Sequence, residues 1–199
     1  MSSETAALPL SLDWVVPPAS WSFDGDVLTV TAAPRTDLFT DPLDRSRRQD
    51  AALALTVPPE GDWQWSARLR VGFADSWDAG ALVVWGDEDH WAKLTFERAP
   101  DGTAGVYSVV TRGRSDDAIA GTVTADALWL RISRTGDRLA FHSSEDGRRW
   151  QLVRQFALGG PGAVRVGVGA QSPVGDGCRA EFEALRLTPT PLAHLFDGR

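Results

Sequence analysis

The sequence predicts an all-β fold, a two-sheet antiparallel β-sandwich, and three observations carry that prediction. Apolar and polar residues alternate with a period of two. The clearest case runs from Trp63 to Val71, where Trp63, Trp65, Ala67, Leu69 and Val71 face inward and Gln64, Ser66, Arg68 and Arg70 face water. Turn residues such as Asp24-Gly25, Pro58-Pro59-Glu60-Gly61 and Asp146-Gly147 separate these segments at short intervals. Finally, no segment carries the 3.6-residue apolar period of an amphipathic helix.

The elements follow in order. Asp26–Thr31 is a strand after the Asp24-Gly25 turn, and Ala51–Val57 is a second, closed by two prolines. After the alternating strand from Trp63, Ala79–Trp85 is an almost continuous apolar run, the pattern of a strand covered on both faces. An acidic turn, Gly86-Asp87-Glu88-Asp89, leads into His90–Glu97, with Ala92, Leu94 and Phe96 on one side and Trp91, Lys93, Thr95 and Glu97 on the other. Val106–Thr111, Leu128–Arg134, Arg138–Ser144 and Trp150–Phe156 come next, the last pair joined through Asp146-Gly147 with Trp150 predicted to re-enter the core. After Gly159-Gly160-Pro161-Gly162, Val164, Val166 and Val168 alternate with Arg165, Gly167 and Gly169, the two glycines marking close packing. Ala180–Leu187 completes the set. No linker or fixed-period repeat interrupts the series, so residues 1–199 are expected to form a single domain, with a core over about 14–187 and a tail over 188–199. The tail is expected to be an extended strap or a short helix over Leu192–Phe196.

Composition narrows the function. With 199 residues and 43% apolar content the chain can bury one sizeable core. Its net charge is −7, with 20 basic residues scattered among 27 acidic ones, which argues against nucleic acid or an anionic membrane as partner. No apolar run is long enough to span a bilayer, and Met1–Thr5 lacks the basic start of a signal peptide, so a cytoplasmic location is expected. The lone Cys178 excludes an internal disulfide and reads as a buried thiol. Nine Trp against one Tyr and one Met suit a sandwich in which most indoles fill the core and one or two meet a ligand. The sequence does not select an oligomeric state.

The motif order resembles the DUF1349 family, whose members adopt a concanavalin A-like lectin/glucanase jelly roll. The resemblance rests on Trp21–Ala33, Thr36-Asp37-Leu38-Phe39, Asp78–Val83, Trp91–Glu97, Ser108–Thr111, Trp129–Ile132, Ser144–Trp150 and Val166–Pro173. It implies carbohydrate-related recognition, since related sandwiches occur as accessory domains of glycoside hydrolases. Where the family commonly has Gln, this chain has Ala79.

Candidate site residues follow from the outward rows. Trp91, Lys93, Thr95 and Glu97 form either a solvated sheet surface or one wall of a polar cleft. Lys93 and Glu97 stand about 13 Å apart along the strand at the usual rise. Trp129 and Arg131 form a second outward pair, with Tyr107 alternating alongside. If these share a face, a ligand-binding surface of Trp91, Lys93, Glu97, Trp129 and Arg131 results, edged by Asp37, Asp78, Tyr107 and His142. Thr36–Phe39 is read as a loop between strands, where Asp37 either ties the chain or meets a ligand.

Catalytic signals are sparse. His90, His142 and His194 have no metal spacing, and no Ser/His/Asp or phosphate-loop motif is present. No DxDxDG loop accompanies the acidic turns, so neither a metal nor another cofactor is expected. A retaining glycosidase needs two carboxylates about 5 Å apart, and Glu97 is alone on its strand. The expected function is non-catalytic binding of a small polar ligand, most plausibly a carbohydrate, on the concave sheet face. The alternatives are a glycan-active hydrolase using Glu97 as acid or base, and a protein-interaction module with a broad exposed apolar patch.

Overall fold

The computed structural model describes residues 8–160 and 162–199. The Met1–Thr5 segment and Pro161 of the Gly-rich turn lie outside the described residues. The strands are β1 Asp13–Val16, β2 Ser20–Asp24, β3 Val27–Thr31, β4 Leu38–Thr40, β5 Arg47–Gln49, β6 Ala52–Thr56, β7 Trp63–Gly72 and β8 Ala79–Trp85. They continue with β9 His90–Arg98, β10 Ala104–Arg112, β11 Ser115–Thr122, β12 Ala127–Thr135, β13 Arg138–Ser144, β14 Gln151–Phe156, β15 Arg165–Gln171 and β16 Arg179–Thr188. A front sheet has the order β1-β6-β15-β8-β9-β10-β11, and a back sheet the order β14-β13-β12-β7-β16-β3-β2. β4 and β5 form a separate two-stranded ribbon.

The predicted sandwich is therefore present, built from more strands than the sequence displayed. The edge strand β11 is almost wholly exposed and has an Asp-, Ala- and Gly-rich sequence of poor strand propensity. It forms because β10 offers it a backbone ladder from Gly105 to Thr111. The Leu38–Phe39 segment, read as loop, is part of the β4–β5 ribbon. The tail beyond β16 is an extended strap ending in a turn, not a helix.

The core between the sheets is filled by Trp63, Trp65 and Leu69 of β7, Phe96 of β9, Phe141 of β13 and Phe182 of β16, all essentially inaccessible to solvent. Strict alternation in β7 delivers its indoles there, as predicted. Trp65 also links the layers: its Nε1 donates to the carbonyl of Gly167 on β15, 2.8 Å away. Cys178 is buried and donates to the Gln171 carbonyl at 3.1 Å, and burial pushes its thiol up to about 12, as suits a structural thiol.

β8 and β9 are buried on both faces. The outer face of the front sheet carries a second apolar layer of Leu53, Leu55, Val83, Trp85, Trp91 and Val109, with Leu38 and Phe39 of the ribbon packed against it. Of the two readings of the Trp91–Glu97 row, the solvated sheet surface is thus excluded, because the row is covered. Covering segments that lie far from β9 in sequence leave no local trace in the strand's own pattern.

The glycines of β15 admit this packing. A Cβ on Gly167 would lie 1.8 Å from the Ala54 carbonyl oxygen of β6. Gly167→Ala is expected to destabilise the protein by about 3 kcal/mol, because main chain rather than a side-chain tip must move. Urea denaturation of the two proteins checks this, and an unchanged midpoint would mean that β6 and β15 are not so closely apposed.

Candidate functional site

Across the front sheet, Trp85 pairs with Trp91, Val83 with Lys93, Ala81 with Thr95 and Ala79 with Glu97. On β15, Gly169 and Gln171 stand beside Ala81 and Ala79. Side-chain size therefore tapers along β8. At one end the Trp85 and Trp91 rings stack at 6.4 Å and 10° and fill the space under the ribbon. At the other end alanine and glycine leave a cavity of about 260 Å³ lined by Asp37, Phe39, Trp77, Lys93, Glu97, Tyr107, Val109, Asp117, Gln171 and Pro173.

Lys93 is only 3% exposed. Its ammonium donates to Gln171 Oε1 at 2.6 Å and lies 3.6 Å from Asp37 Oδ1, so the buried charge has both a dipole and a counter-charge. Gln171 Nε2 in turn donates to the Trp77 carbonyl at 3.3 Å.

Trp77 sits in the loop before β8, where no strand period marks it. It has φ +68°, a left-handed conformation costly for a non-glycine residue, and it is 36% exposed. The loop is held by Asp78, whose Oδ2 accepts the Ala74 and Asp75 amides at 2.9 Å and whose Oδ1 accepts the Ser172 hydroxyl at 2.6 Å. The Trp77 amide donates to the Arg98 carbonyl at 2.7 Å. So fixed, the indole meets Tyr107 edge-to-face, with centroids 6.3 Å apart.

The ribbon is fixed as firmly. The Asp37 carbonyl accepts the Asp50 and Ala51 amides at 3.1 and 3.0 Å, and the Thr40 amide donates to the Ser115 hydroxyl at 2.9 Å. Arg47 forms ion pairs with Glu88 and Asp89, so the acidic turn anchors the ribbon.

Glu97 is 6% exposed, and its Oε2 accepts the Thr95 hydroxyl at 2.8 Å. Burial pushes its carboxyl up from 4.5 to about 7, although Lys93 and Thr95 pull it down. Asp37 and Asp117 push it further up. A carboxyl that exchanges its proton near neutrality can donate to or accept from a hydroxyl.

The structure thus brings together Lys93, Glu97, Tyr107 and Asp37 from the predicted set. Trp91 lies beneath the ribbon, and Asp78 is buried behind the cavity as a loop anchor. Trp129, Arg131 and His142 correct the expectation of one shared face: β12 and β13 belong to the back sheet, so their outward residues lie on the opposite side of the sandwich. Alternation reports that a side chain points away from the core, but a sandwich has two such directions. Trp150 is not in the core either; the Arg131 guanidinium lies 4.0 Å over its ring. Phe39, Trp77, Asp117 and Gln171 complete the site. Of these, Phe39 and Gln171 lie in segments that carry the family resemblance, whereas Trp77 and Asp117 show no signal in the sequence.

The model of the family described as protein of unknown function (DUF1349) matches residues 14–190. No curated protein sequence matches the chain. A functionally unknown protein from Saccharomyces cerevisiae has a similar structure, with TM-score 0.82 and 25% identity over 90% of this chain and 96% of that one. A GH43 protein from Bacillus licheniformis is similar at TM-score 0.73 and 17% identity, covering 92% of this chain and 38% of that one. A xylan β-1,4-xylosidase from Bacillus halodurans matches at TM-score 0.66 and 15% identity, over 81% of this chain and 32% of that one.

The raised carboxyl carries a stability signature. Between pH 4.5 and about 7 the folded protein holds the Glu97 proton more tightly than the unfolded chain. Its contribution is therefore complete at low pH and is lost as pH rises through 7, by a loss on the order of 3 kcal/mol. Glu97→Gln should remove this loss, so the variant gains on wild type at pH 8 and not at pH 4. Denaturation at the two pH values checks the sign, and equal differences at both would refute the shift.

Proposed function

The chain belongs to the DUF1349 family, and on that premise we propose that it is a binding module for a small polar ligand, a carbohydrate, held in the front-sheet cavity. One observation carries the reading. A cavity of about 260 Å³ combines aromatic walls with paired hydrogen-bonding groups on its floor. The size, just under the ~300 Å³ at which drug-sized sites begin, suits a single sugar ring. Trp77 and Tyr107 offer apolar surface to the ring's C–H face, while Glu97, Asp117 and the Lys93–Gln171 pair face its hydroxyls. Chains described as a GH43 protein and a xylan β-1,4-xylosidase carry the same sandwich, which supports a glycan over other polar ligands.

A second reading, glycan hydrolysis, is favoured by one specific feature. Glu97, poised near pH 7, shares the cavity with two further carboxylates, Asp37 and Asp117. Asp37 is engaged with Lys93 and the Leu38 amide, leaving Asp117 as the better-placed partner. On this reading the Glu97 carboxylic acid would protonate a leaving oxygen.

A glycan array followed by calorimetry on the best binder separates the readings. Trp77→Ala should weaken binding roughly tenfold, about 1.4 kcal/mol. Glu97→Gln should weaken it under the first reading. Under the second it should spare binding and abolish release of reducing ends. Silence of the wild type on every glycan would sink both.

A further inference from the structure

The outer face of the back sheet holds a second cavity, of about 390 Å³, with an opposite character. Trp129 and Trp150, Arg131 and Arg186, Gln64 and Ser66 line it, and no carboxylate does. The register places Arg186 of β16, Ser66 of β7 and Arg131 of β12 in one row, so the two arginines flank a serine across three adjacent strands.

The other outward arginines of β7 have counter-charges. Arg68 Nη1 lies 2.6 Å from Glu183, and Arg70 lies 3.8 Å from Glu181 and 4.0 Å from Asp126. Among the described residues, Arg131 and Arg186 form no ion pair. Arg131 is only 6% exposed, stacks on Trp150, and donates from Nη2 to the Gly198 carbonyl at 2.6 Å. Its Nε is buried without a partner. Burial lowers its pKa only to about 10, so it stays charged near neutrality. A buried cation lacking its counter-ion is costly and uncommon.

The backbone is also bent to present Arg186. The β16–β7 register slips between Glu183 and Arg186, and Ala184, in the cavity wall, has φ +49°. Glu183 and Arg186 are three residues apart yet both pair outward. In a regular strand Leu185 would occupy the place opposite Ser66. The bulge substitutes an arginine for that leucine on the outer face and turns Leu185 toward the core, at the cost of a left-handed conformation at Ala184.

We propose that this cavity is a second binding site, for a ring ligand that bears a carboxylate, such as a uronic acid. The guanidinium groups supply the counter-charge and fork geometry for the carboxylate, the indoles flank the ring, and Ser66 and Gln64 reach its polar substituents. The two sites occupy opposite faces, so each can fail alone.

Calorimetry with D-galacturonic acid, D-glucose and benzoate tests this, with tryptophan fluorescence as a second signal. Galacturonate should bind at least tenfold more tightly than glucose, and its affinity should fall as salt is raised. Arg186→Ala, a change at an exposed side chain, should weaken galacturonate at least fivefold with an unchanged melting temperature, whereas Trp77→Ala should leave it intact. Benzoate binding equal to galacturonate would keep the carboxylate-on-ring class but select a flat acid over a sugar. The proposal is overturned if galacturonate binds no better than glucose, if Arg186→Ala has no effect, or if Trp77→Ala abolishes binding.

Discussion

The buried ammonium of Lys93 is the constraint on which the front of the molecule depends. A charge placed inside a second apolar layer must be compensated where it stands, and the compensation comes from two separate pieces of chain and is tied to a third. Asp37 belongs to the ribbon segment, Gln171 to the end of β15, and through Gln171 the bond network reaches the Trp77 carbonyl in the loop before β8. Removing the cation would leave the Asp37 carboxylate and Gln171 Oε1 without the donor that lies between them. The pair therefore does more than satisfy a lysine: it sets where the ribbon and the Trp77 loop stop, and hence the mouth of the cavity.

Glu97 is the counterpart of that arrangement. It shares the face with Lys93, two positions beyond Thr95, but among the described residues it forms no ion pair of its own and accepts one hydroxyl hydrogen bond, from Thr95. The sheet therefore has its cation neutralised by other residues and its carboxyl left largely to burial, which is why the carboxyl titrates near neutrality. Such a group is ready for a ligand hydroxyl in either protonation state. It is also the feature that keeps hydrolysis in contention with simple binding, because recognition and acid catalysis ask the same thing of a carboxyl before a substrate arrives.

The sandwich and its inward residues were legible because they are consequences of period-two alternation, as Trp63–Val71 illustrates. What alternation cannot encode is which of two outer surfaces an outward side chain reaches. Lys93 and Arg131 have the same local signature, yet strand order sends them to opposite sides. Burial of the Trp91–Glu97 row was hidden for a related reason, since its cover comes from the β4–β5 ribbon, whose three-residue strands are too short to show a period. Trp77 was hidden by its loop, where backbone strain rather than pattern marks the residue.

The two outer faces also explain how a chain with net charge −7 can offer both an acid-lined and an arginine-lined cavity. Elsewhere on the back sheet, arginines of β7 face glutamates of β16, and these pairs neutralise each other across adjacent strands. The ladder breaks at the bulge, after which β16 presents Arg186 where continued pairing would have brought an apolar residue. On the front sheet the break is one of size, from the paired indoles of Trp85 and Trp91 to the alanines at 79 and 81. In each sheet the cavity lies where a local pattern breaks off, the size gradient along β8 in front and the β7–β16 ladder behind. The interruption of both patterns, each coinciding with a residue at positive φ in the cavity wall, Trp77 in front and Ala184 behind, is what separates these two hollows from the other gaps at the sandwich edges.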